Sequence, residues 1–361
     1  MSDKRKVLVA PLDWGLGHGT RCIPIIQQLL SHGFEVILAA DGAVKTLLQL
    51  EFPQITILHL DGYHIKYAHT KTGLLLNMLN QIPDIIKKIN YEHKWLKNVI
   101  NIHKINIVIS DNRYGLHNKE VYSIFITHQL LIKSPLFQKG LQAINYRYIN
   151  RFKQCWVPDY EGTQNLSGIL SHPKKKPSIP LKYIGPLSRF SLTEQPSLGK
   201  YLLILLSGPE PQRTVLETIL LAQLKNINQN VLVVRGLPGN TEELPISDKT
   251  EFINHLPAAE LQLAIREALF IIARTGYSTV MDLIKMKKKS ILIPTPGQTE
   301  QEYLGEHLKE NNLALCMPQQ NFNLAEALKA AASYPYKFFT LPENDLLKGI
   351  IEQLKNKVET S

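Results

Sequence analysis

The feature that most constrains the fold is the regular alternation of short apolar, β-branched runs with longer amphipathic segments. Runs such as "KVLVA" (6–10) and "INIVIS" (105–110) are bounded by polar or turn residues, and helical spacing fills the sequence between them. The same layout restarts at "YLLILLSG" (201–208), after a proline- and lysine-rich segment (171–190) that is typical of a linker. Strands that alternate with helices form parallel sheets. The sequence therefore predicts an α/β protein with two doubly wound sheets and a ligand cleft between the carboxyl ends of their strands.

The length of 361 residues exceeds that of a typical single core. We expect a first domain over residues 1–185 and a second over residues 186–361, with the last helix packing back on the first domain. In the first domain the pattern predicts a helix from about Arg21, with Pro24 in its first turn. The Leu-, Ile- and Lys-rich region 63–104 fits either a covering helix or a basic helix lying on a membrane, and ordinary packing is favoured.

The charge is unevenly distributed along the chain. The net charge is +10, with 24 Lys and Arg against 12 Asp and Glu in residues 1–190, and 17 against 19 in residues 191–361. A basic first half suits an anionic partner, such as nucleic acid, a membrane surface or a phosphorylated acceptor. A basic surface without a particular partner explains the count equally well.

Cysteine usage and hydropathy limit the class of protein. The three cysteines, Cys22, Cys155 and Cys316, are far apart and form no CxxC pair. This pattern indicates a reduced, cytoplasmic protein without a disulfide framework or zinc knuckle. No apolar run approaches the roughly 18 residues that cross a bilayer, and the first residues do not read as a secretion signal.

The stretch "RTGYSTVMD" (274–282) predicts an anion site. A strand ends there, a turn contains Gly276, and a helix is expected to open at Ser278 or Thr279. Free N–H groups at a helix N-terminus, two hydroxyls and a glycine suit a phosphate, and Asp282 one turn later suits the hydroxyls of a ribose. The alternative is plain N-capping by Ser278 or Thr279.

A second polar loop follows at "PTPGQTEQEY" (294–303), after the next strand. Gln298, Gln301 and Glu302 lie close together there, and side chains that donate and accept hydrogen bonds in pairs suit sugar hydroxyls. The alternative is a capping box between Thr299 and Glu302 at the start of a helix.

Together these two stretches resemble the C-terminal domain signature of glycosyltransferase family 28, whose members include enzymes that act on a lipid-linked acceptor. The resemblance implies a GT-B fold, in which two Rossmann-like domains face a cleft and the second binds a nucleotide sugar. It also implies a role for several residues in donor binding. Those near the diphosphate are Gly276, Ser278, Thr279, Ser207 and Gly208. Asp282 holds the ribose, Gln301 and Glu302 meet the sugar, and the nucleotide base lies near Ile253 and His255. The family has Gln where Glu302 stands.

The loop "LDWGLGHGTR" (12–21) contains three glycines, Gly15, Gly17 and Gly19, around His18. A dinucleotide-binding fingerprint, G-x-G-x-x-G, requires a third glycine at position 20, where this sequence has Thr20. Asp41, after the second strand, does lie where a dehydrogenase has its ribose-binding acid. GT-B relatives have a similar G-x-G-H loop, so the resemblance implies that His18 deprotonates the acceptor hydroxyl. The glycines then allow the acceptor to approach closely.

A histidine base needs an orienting carboxylate, and Asp111 follows a strand at the same sheet edge. We therefore predict a His18–Asp111 dyad, with Asp13 as the reserve base and His128 as a possible contact of the acceptor. The alternative is that His18 fills the loop and Asp111 caps a turn.

The sequence contains no D-x-D motif and no cluster with metal-ligand spacing, so neither a metal nor another cofactor is expected. The helix dipole, hydroxyls and Arg274 or Arg213 would then stabilise the leaving diphosphate. The resemblance implies inverting transfer from a nucleotide-diphosphate sugar to a hydroxyl acceptor. We expect a UDP-sugar as the donor, and a lipid-linked acceptor at the cytoplasmic membrane face is one expectation. Nucleic acid is not an expected partner. The alternatives are a nucleotide-sugar epimerase of the same architecture and a non-catalytic nucleotide-sugar-binding protein.

Overall fold

Two parallel sheets, each covered by helices, make up the computed structural model. It describes residues 5–63, 71–134, 137–190, 199–241, 248–338 and 345–359, with side chains omitted at 71–80, 358 and 359. The first sheet has seven strands in the order β3-β2-β1-β4-β5-β6-β7, and the second has six in the order β10-β9-β8-β11-β12-β13. This is the doubly wound α/β architecture that the sequence predicts.

The first sheet carries helices α1 to α4. Its strands are β1 Lys6–Pro11, β2 Glu35–Ala40, β3 Ile57–His59, β4 Ile107–Asp111, β5 Tyr122–Ile126, β6 Gln154–Val157 and β7 Leu181–Tyr183. Its helices are α1 Leu16–Ser31, α2 Gly42–Glu51, α3 Lys71–His103 and α4 Gln138–Ile149. The central strand β1 pairs with β2 on one side and with β4 on the other. A crevice therefore opens at the carboxyl end of β1, where the strand order reverses.

The second sheet repeats this plan. Its strands are β8 Tyr201–Leu205, β9 Val231–Val234, β10 Thr250–Ile253, β11 Ala268–Arg274, β12 Ser290–Ile293 and β13 Leu315–Cys316. Its helices are α5 Gln212–Leu224, α6 Ala258–Glu267, α7 Tyr277–Lys285, α8 Thr299–Glu310 and α9 Leu324–Ser333. The central strands of both sheets are built almost wholly from buried aliphatic residues, as expected of strands covered on both faces.

The last helix, α10 (Leu346–Glu359), leaves the second sheet and packs against α1 of the first. Its apolar side chains Leu347, Ile351 and Leu354 are buried. At the edge of this helix contact, the imidazole of His32, just after α1, lies 3.7 Å from the carboxylate of Glu352 on α10. The chain therefore passes between the two sheets twice.

Three local expectations differ from the structure. Helix α1 begins at Leu16, five residues before Arg21, because Gly15 adopts the left-handed φ of 76° that starts the helix. His18 consequently lies in the first turn of α1, and Pro24 lies in the helix interior. Part of the expected linker 171–190 forms β7, the edge strand of the first sheet.

The region 63–104 corresponds largely to α3. Where its side chains are described, Leu96, Val99 and Ile100 are buried against the first sheet, which is the packing role that the sequence favours. Residues 64–70 and the side chains of 71–80 lie outside the described residues. Within the described part of the chain, no helix is both long enough and apolar enough to cross a membrane.

Candidate active site

His18 and Asp111 meet at the carboxyl edge of the first sheet. Pro11 at the end of β1 is paired with Asp111 at the end of β4, and α1 starts just after β1. This places the His18 Nδ1 atom 3.0 Å from the Asp111 Oδ2 atom. The His18 side chain is 14% exposed, whereas Asp111 is fully buried. The two residues of the predicted dyad are thus in hydrogen-bond contact.

Arg21, one helical turn after His18, pairs with the same carboxylate. Its Nε atom donates to Asp111 Oδ2 at 2.8 Å, and its Nη2 atom donates to Oδ1. Burial alone would raise the pKa of Asp111, but Arg21 and His18 outweigh it and hold that pKa at about 2. Burial and the Arg21 charge lower the pKa of His18, against the raising effect of Asp111. His18 is therefore neutral at neutral pH.

The tautomer of His18 decides whether it can act as a base. The Nδ1 atom lies 3.0 Å from Asp111 Oδ2 and 2.8 Å from Arg21 Nη2, and it can donate to the first or accept from the second. When Nδ1 donates to Asp111, the lone pair is on Nε2. The Nε2 atom has no hydrogen-bond partner among the described residues, so it is available to a substrate hydroxyl.

A polar chain continues from Arg21 into the second domain. Arg21 Nη1 lies 3.2 Å from His128 Nδ1, and His128 Nε2 lies 2.6 Å from Glu300 Oε1 at the start of α8. Gln129 donates to the other Glu300 oxygen at 2.8 Å. The His128 ring also stacks on Tyr277, with ring centroids 4.1 Å apart. His128 therefore contacts the second domain on two sides.

Glu300 and Arg21 are residues that the sequence reasoning missed. The pKa of Glu300, which burial would raise, is lowered by His128 and then by Arg21 and His18. The (i, i+3) spacing of His18 and Arg21 on one helix could have indicated the second residue, once the start of α1 was known. Nothing in the sequence around Glu300 points to its partner 172 residues away.

The N-terminal turns of α1 and α7 are in direct contact. Helix α7 starts at Tyr277 with Gly276 as its N-cap and without a side-chain cap, so the alternative of capping by Ser278 or Thr279 is wrong. Instead, the Ser278 hydroxyl donates to the Gly17 carbonyl at 2.7 Å. A Cβ atom on Gly17 would lie 3.1 Å from that hydroxyl oxygen. Gly17 thus permits the close approach of the two domains.

Asp282, the expected ribose ligand, is buried on α7. Ser188 donates its hydroxyl hydrogen to Asp282 Oδ1 at 2.8 Å, and Arg189 Nε lies 3.6 Å from Oδ2. Burial raises the pKa of Asp282 more than Arg189 and Ser188 lower it. The Nε and Nη1 atoms of Arg189 are buried without a hydrogen-bond partner among the described residues. Arg189 is a further site candidate that the sequence reasoning missed.

The side chains expected at the donor sugar form hydrogen bonds within their own loop. Gln301 accepts from the Thr295 N–H at 2.9 Å and donates to Gln298 at 2.5 Å. Glu302 accepts from the Gly297 N–H at 3.0 Å. The N-cap of α8 is Gln298, and the Thr299 hydroxyl donates to the Lys133 carbonyl, so the capping box of Thr299 with Glu302 is not formed. The three candidate residues therefore share one rigid turn.

The two candidate cations are bound within the second domain. Arg274 donates to the Gln212 carbonyl at 2.7 Å and lies 3.3 Å from the Pro294 carbonyl. Its burial lowers the pKa to about 10. Arg213 pairs with Glu210 and Glu217. Both guanidinium groups connect neighbouring elements of the fold.

The remaining candidates are spread around the cleft. In the loop after β8, Ser207 and Gly208 are partly exposed, and Gly208 has a φ of 106°. Gly19 allows α1 to pack on α2, because its Cβ would lie 3.0 Å from Leu47. The reserve base Asp13 accepts from the Tyr63 N–H at 2.9 Å. Other candidates are Thr279, in the first turn of α7; Ile253, at the end of β10; and His255, whose Nε2 atom is buried without a partner among the described residues.

No group of three His, Cys, Asp or Glu side chains in the described residues is arranged to hold a metal ion. The same part of the chain supplies hydroxyls, guanidinium groups and helix N-termini at the cleft. These groups suit proton transfer at His18 and anion binding at the N-terminus of α7.

The family comparison bears on the second half of the chain. The model of the glycosyltransferase family 28 C-terminal domain matches residues 211–353. A sequence search of curated proteins finds no match. The family match confirms the resemblance drawn from residues 274–303, and with it the enzyme class, a glycosyltransferase.

Solved structures of glycosyltransferases superimpose on nearly the whole chain. The glycosyltransferase of kitacinnamycin has a TM-score of 0.61 at 14% identity, covering 99% of this chain and 95% of its own. SnogD from Streptomyces nogalater has 0.60 at 11%, covering 99% and 100%. MurG from Acinetobacter baumannii has 0.53 at 13%, covering 99% and 100%. The predicted GT-B fold is therefore confirmed.

Proposed function

We propose that this chain, whose second half is a glycosyltransferase family 28 C-terminal domain within a GT-B fold, transfers a sugar from a UDP-sugar to an acceptor hydroxyl with inversion and without a metal ion. The observation that carries the proposal is the 3.0 Å contact between His18 and Asp111, directly opposite the N-terminus of α7. The contact supports the proposal because it brings the proposed base next to the proposed anion site.

The donor is proposed to lie along α7. The N–H groups of its first turn, free of a side-chain cap, suit the diphosphate, with Ser278 and Thr279 adding hydroxyls. Asp282 suits the ribose. Arg189, whose Nε is in an ion pair with Asp282 and whose buried Nη1 has no hydrogen-bond partner among the described residues, suits a phosphate or ribose oxygen. Gln298, Gln301 and Glu302 form the adjacent turn, which suits sugar hydroxyls.

In the proposed reaction the acceptor oxygen attacks the anomeric carbon of the donor. The new carbon–oxygen bond forms as the bond to the β-phosphate oxygen breaks, and the nucleoside diphosphate leaves with that electron pair. The acceptor proton moves to Nε2 of His18, and Asp111 stabilises the resulting imidazolium. Positive ends of helix dipoles and hydroxyls stabilise the leaving diphosphate in place of a metal ion.

The acceptor is proposed to be a lipid-linked hydroxyl compound reached at an anionic membrane surface. The excess of basic residues in the first half supports this. So does the strongly exposed Phe137 at the start of α4, close in sequence to Lys133 and Lys139. A liposome-sedimentation assay with anionic and neutral vesicles tests the proposed binding to an anionic membrane independently of turnover.

A thermal-shift panel of UDP, TDP, GDP and their sugars tests the donor site, because a ligand that binds the folded state raises its melting temperature. We expect stabilisation by UDP compounds. The absence of a response to every nucleotide would contradict the proposed donor site. A UDP response without transfer to any acceptor would favour the non-catalytic alternative.

A further inference from the structure

Glu300 lies in the second domain, yet it ends a polar chain that begins at the base in the first. This series of hydrogen bonds runs from His18 through Asp111, Arg21 and His128 to Glu300. Each distance between the two hydrogen-bonded atoms is 3.2 Å or shorter. The four first-domain residues come from α1, β4 and the end of β5. Only Glu300 belongs to the other domain, at the first turn of α8.

The hydrogen bonds fix the protonation of the middle of this chain. Arg21 Nη1 can only donate, so His128 Nδ1 must accept from it. The proton of neutral His128 then lies on Nε2 and is donated to Glu300. Glu300 therefore remains a carboxylate, and Gln129 donates to its second oxygen.

The charge balance around His18 depends on this carboxylate. Arg21 and Asp111 cancel each other, and Arg21 opposes protonation of His18. Cys22 also lies beside Asp111, but burial raises the pKa of its thiol, so it adds no charge. From α7 the uncharged Ser278 and Tyr277 approach the same region. Glu300 supplies the one negative charge beyond the Arg21–Asp111 pair among these described neighbours.

We propose that Glu300 is a positioning residue that, from the second domain, makes His18 of the first domain a stronger base. This inference rests on the proposed function. Its carboxylate holds His128, which holds Arg21 in its bidentate pair with Asp111. In this arrangement Asp111 Oδ2 accepts from Arg21 Nε and lies 3.0 Å from His18 Nδ1, so the same oxygen can also accept the Nδ1 proton of His18. When His18 takes up a proton, the positive charges of His18 and Arg21 are balanced by the negative charges of Asp111 and Glu300, and His128 is neutral. Without the Glu300 charge, the same protonation leaves one net positive charge in a buried site.

The test is a histidine NMR titration of the full-length protein carrying Glu300→Gln, which removes the charge and keeps the size. We expect the His18 titration to move to lower pH than in the unmodified protein. Two controls should leave it in place. Glu306→Gln removes an exposed charge from the same helix, and Gln129→Ala removes a hydrogen bond to Glu300 without removing the carboxylate.

An unchanged His18 titration in a folded Glu300→Gln protein would overturn the inference. An equal shift in Gln129→Ala would also overturn it, because domain contact in general would then be responsible. If Glu300→Gln does not fold, Glu300→Asp keeps the charge and should titrate like the unmodified protein, whereas Glu300→Ala should not. The titration needs no substrate, so a failure of the proposed function would show separately, as the absence of stabilisation by UDP.

Discussion

Ser278 of the second domain donates its hydroxyl hydrogen to the main-chain carbonyl of Gly17, the residue before His18. The hydroxyl thus joins α7, the proposed anion-binding helix, to α1, the helix that carries the proposed base. A phosphate oxygen and the Gly17 carbonyl are both acceptors for this hydroxyl. In the proposed donor complex, diphosphate binding and domain contact would therefore use the same hydroxyl.

Replacing Ser278 with Ala removes that hydrogen bond. We expect the free energy of unfolding to fall by about 1 kcal/mol and the stabilisation by UDP to decrease, because both partners of the hydroxyl lose a donor. Urea unfolding with and without UDP measures both effects. Ser333→Ala, which removes an exposed hydroxyl bonded within α9, serves as the control. An unchanged UDP response in Ser278→Ala would argue against diphosphate binding at α7.

Replacing His18 with Ala removes the proposed base. We expect turnover to fall by roughly 10²- to 10⁴-fold, as for other general bases, while UDP still raises the melting temperature. A coupled assay of UDP release measures turnover once an acceptor is available. His59→Ala is a suitable control, since His59 is largely exposed and pairs with the Asp41 and Asp61 carboxylates, away from His18. Retained turnover in His18→Ala would exclude His18 as the base.

Replacing Asp111 with Asn leaves the Arg21 charge buried without its carboxylate. Removing one partner of a buried ion pair typically costs about 3–5 kcal/mol, so we expect a destabilisation of that order. Asp84→Asn, on an exposed pair with Lys87, should change stability by less than about 1 kcal/mol. Equal effects of the two substitutions would contradict the buried ion pair.

The same carboxyl should contribute to acid sensitivity. Its pKa is about 2 in the folded protein against 3.8 as a reference, so the unfolded chain takes up the proton first. The stability that it provides is therefore complete above about pH 4 and is lost as the pH falls toward 2. His18 adds a loss below its ordinary pKa of 6.5, because its folded pKa is lowered. Asp111→Asn should flatten the acid part of the stability curve, measured by urea unfolding.

Replacing Arg189 with Gln removes a buried guanidinium that is only partly paired with Asp282. We expect UDP affinity to fall by about tenfold, the size of one charge-assisted hydrogen bond, in isothermal titration calorimetry. Arg147→Gln removes an exposed charge from α4 and should leave the affinity unchanged. Unaltered UDP binding in Arg189→Gln would place the nucleotide elsewhere.

The sequence predicts the architecture well, because strand periodicity and helix spacing act locally. The contact between His18 and Asp111 is also predicted from sequence, because the segment after one parallel strand and the end of another lie at the carboxyl edge of the same sheet, although His18 itself lies in the first turn of α1. Arg21 was missed because the helix start depends on the φ of Gly15, which only the folded backbone reveals. Glu300 and Arg189 were missed because their partners belong to other elements, and no local pattern encodes a contact between domains.

The return of α10 to the first domain affects how the chain is made as well as how it is held together. Ribosomes release residues from the N-terminus at roughly 5–20 per second, so α1 is complete long before Ile351 and Leu354 emerge. Until then, the face of α1 that α10 later covers remains exposed to water. The first domain to be synthesised is thus the last to finish its core, and the intervening domain must fold while that apolar face is still open to chaperones or to misassociation.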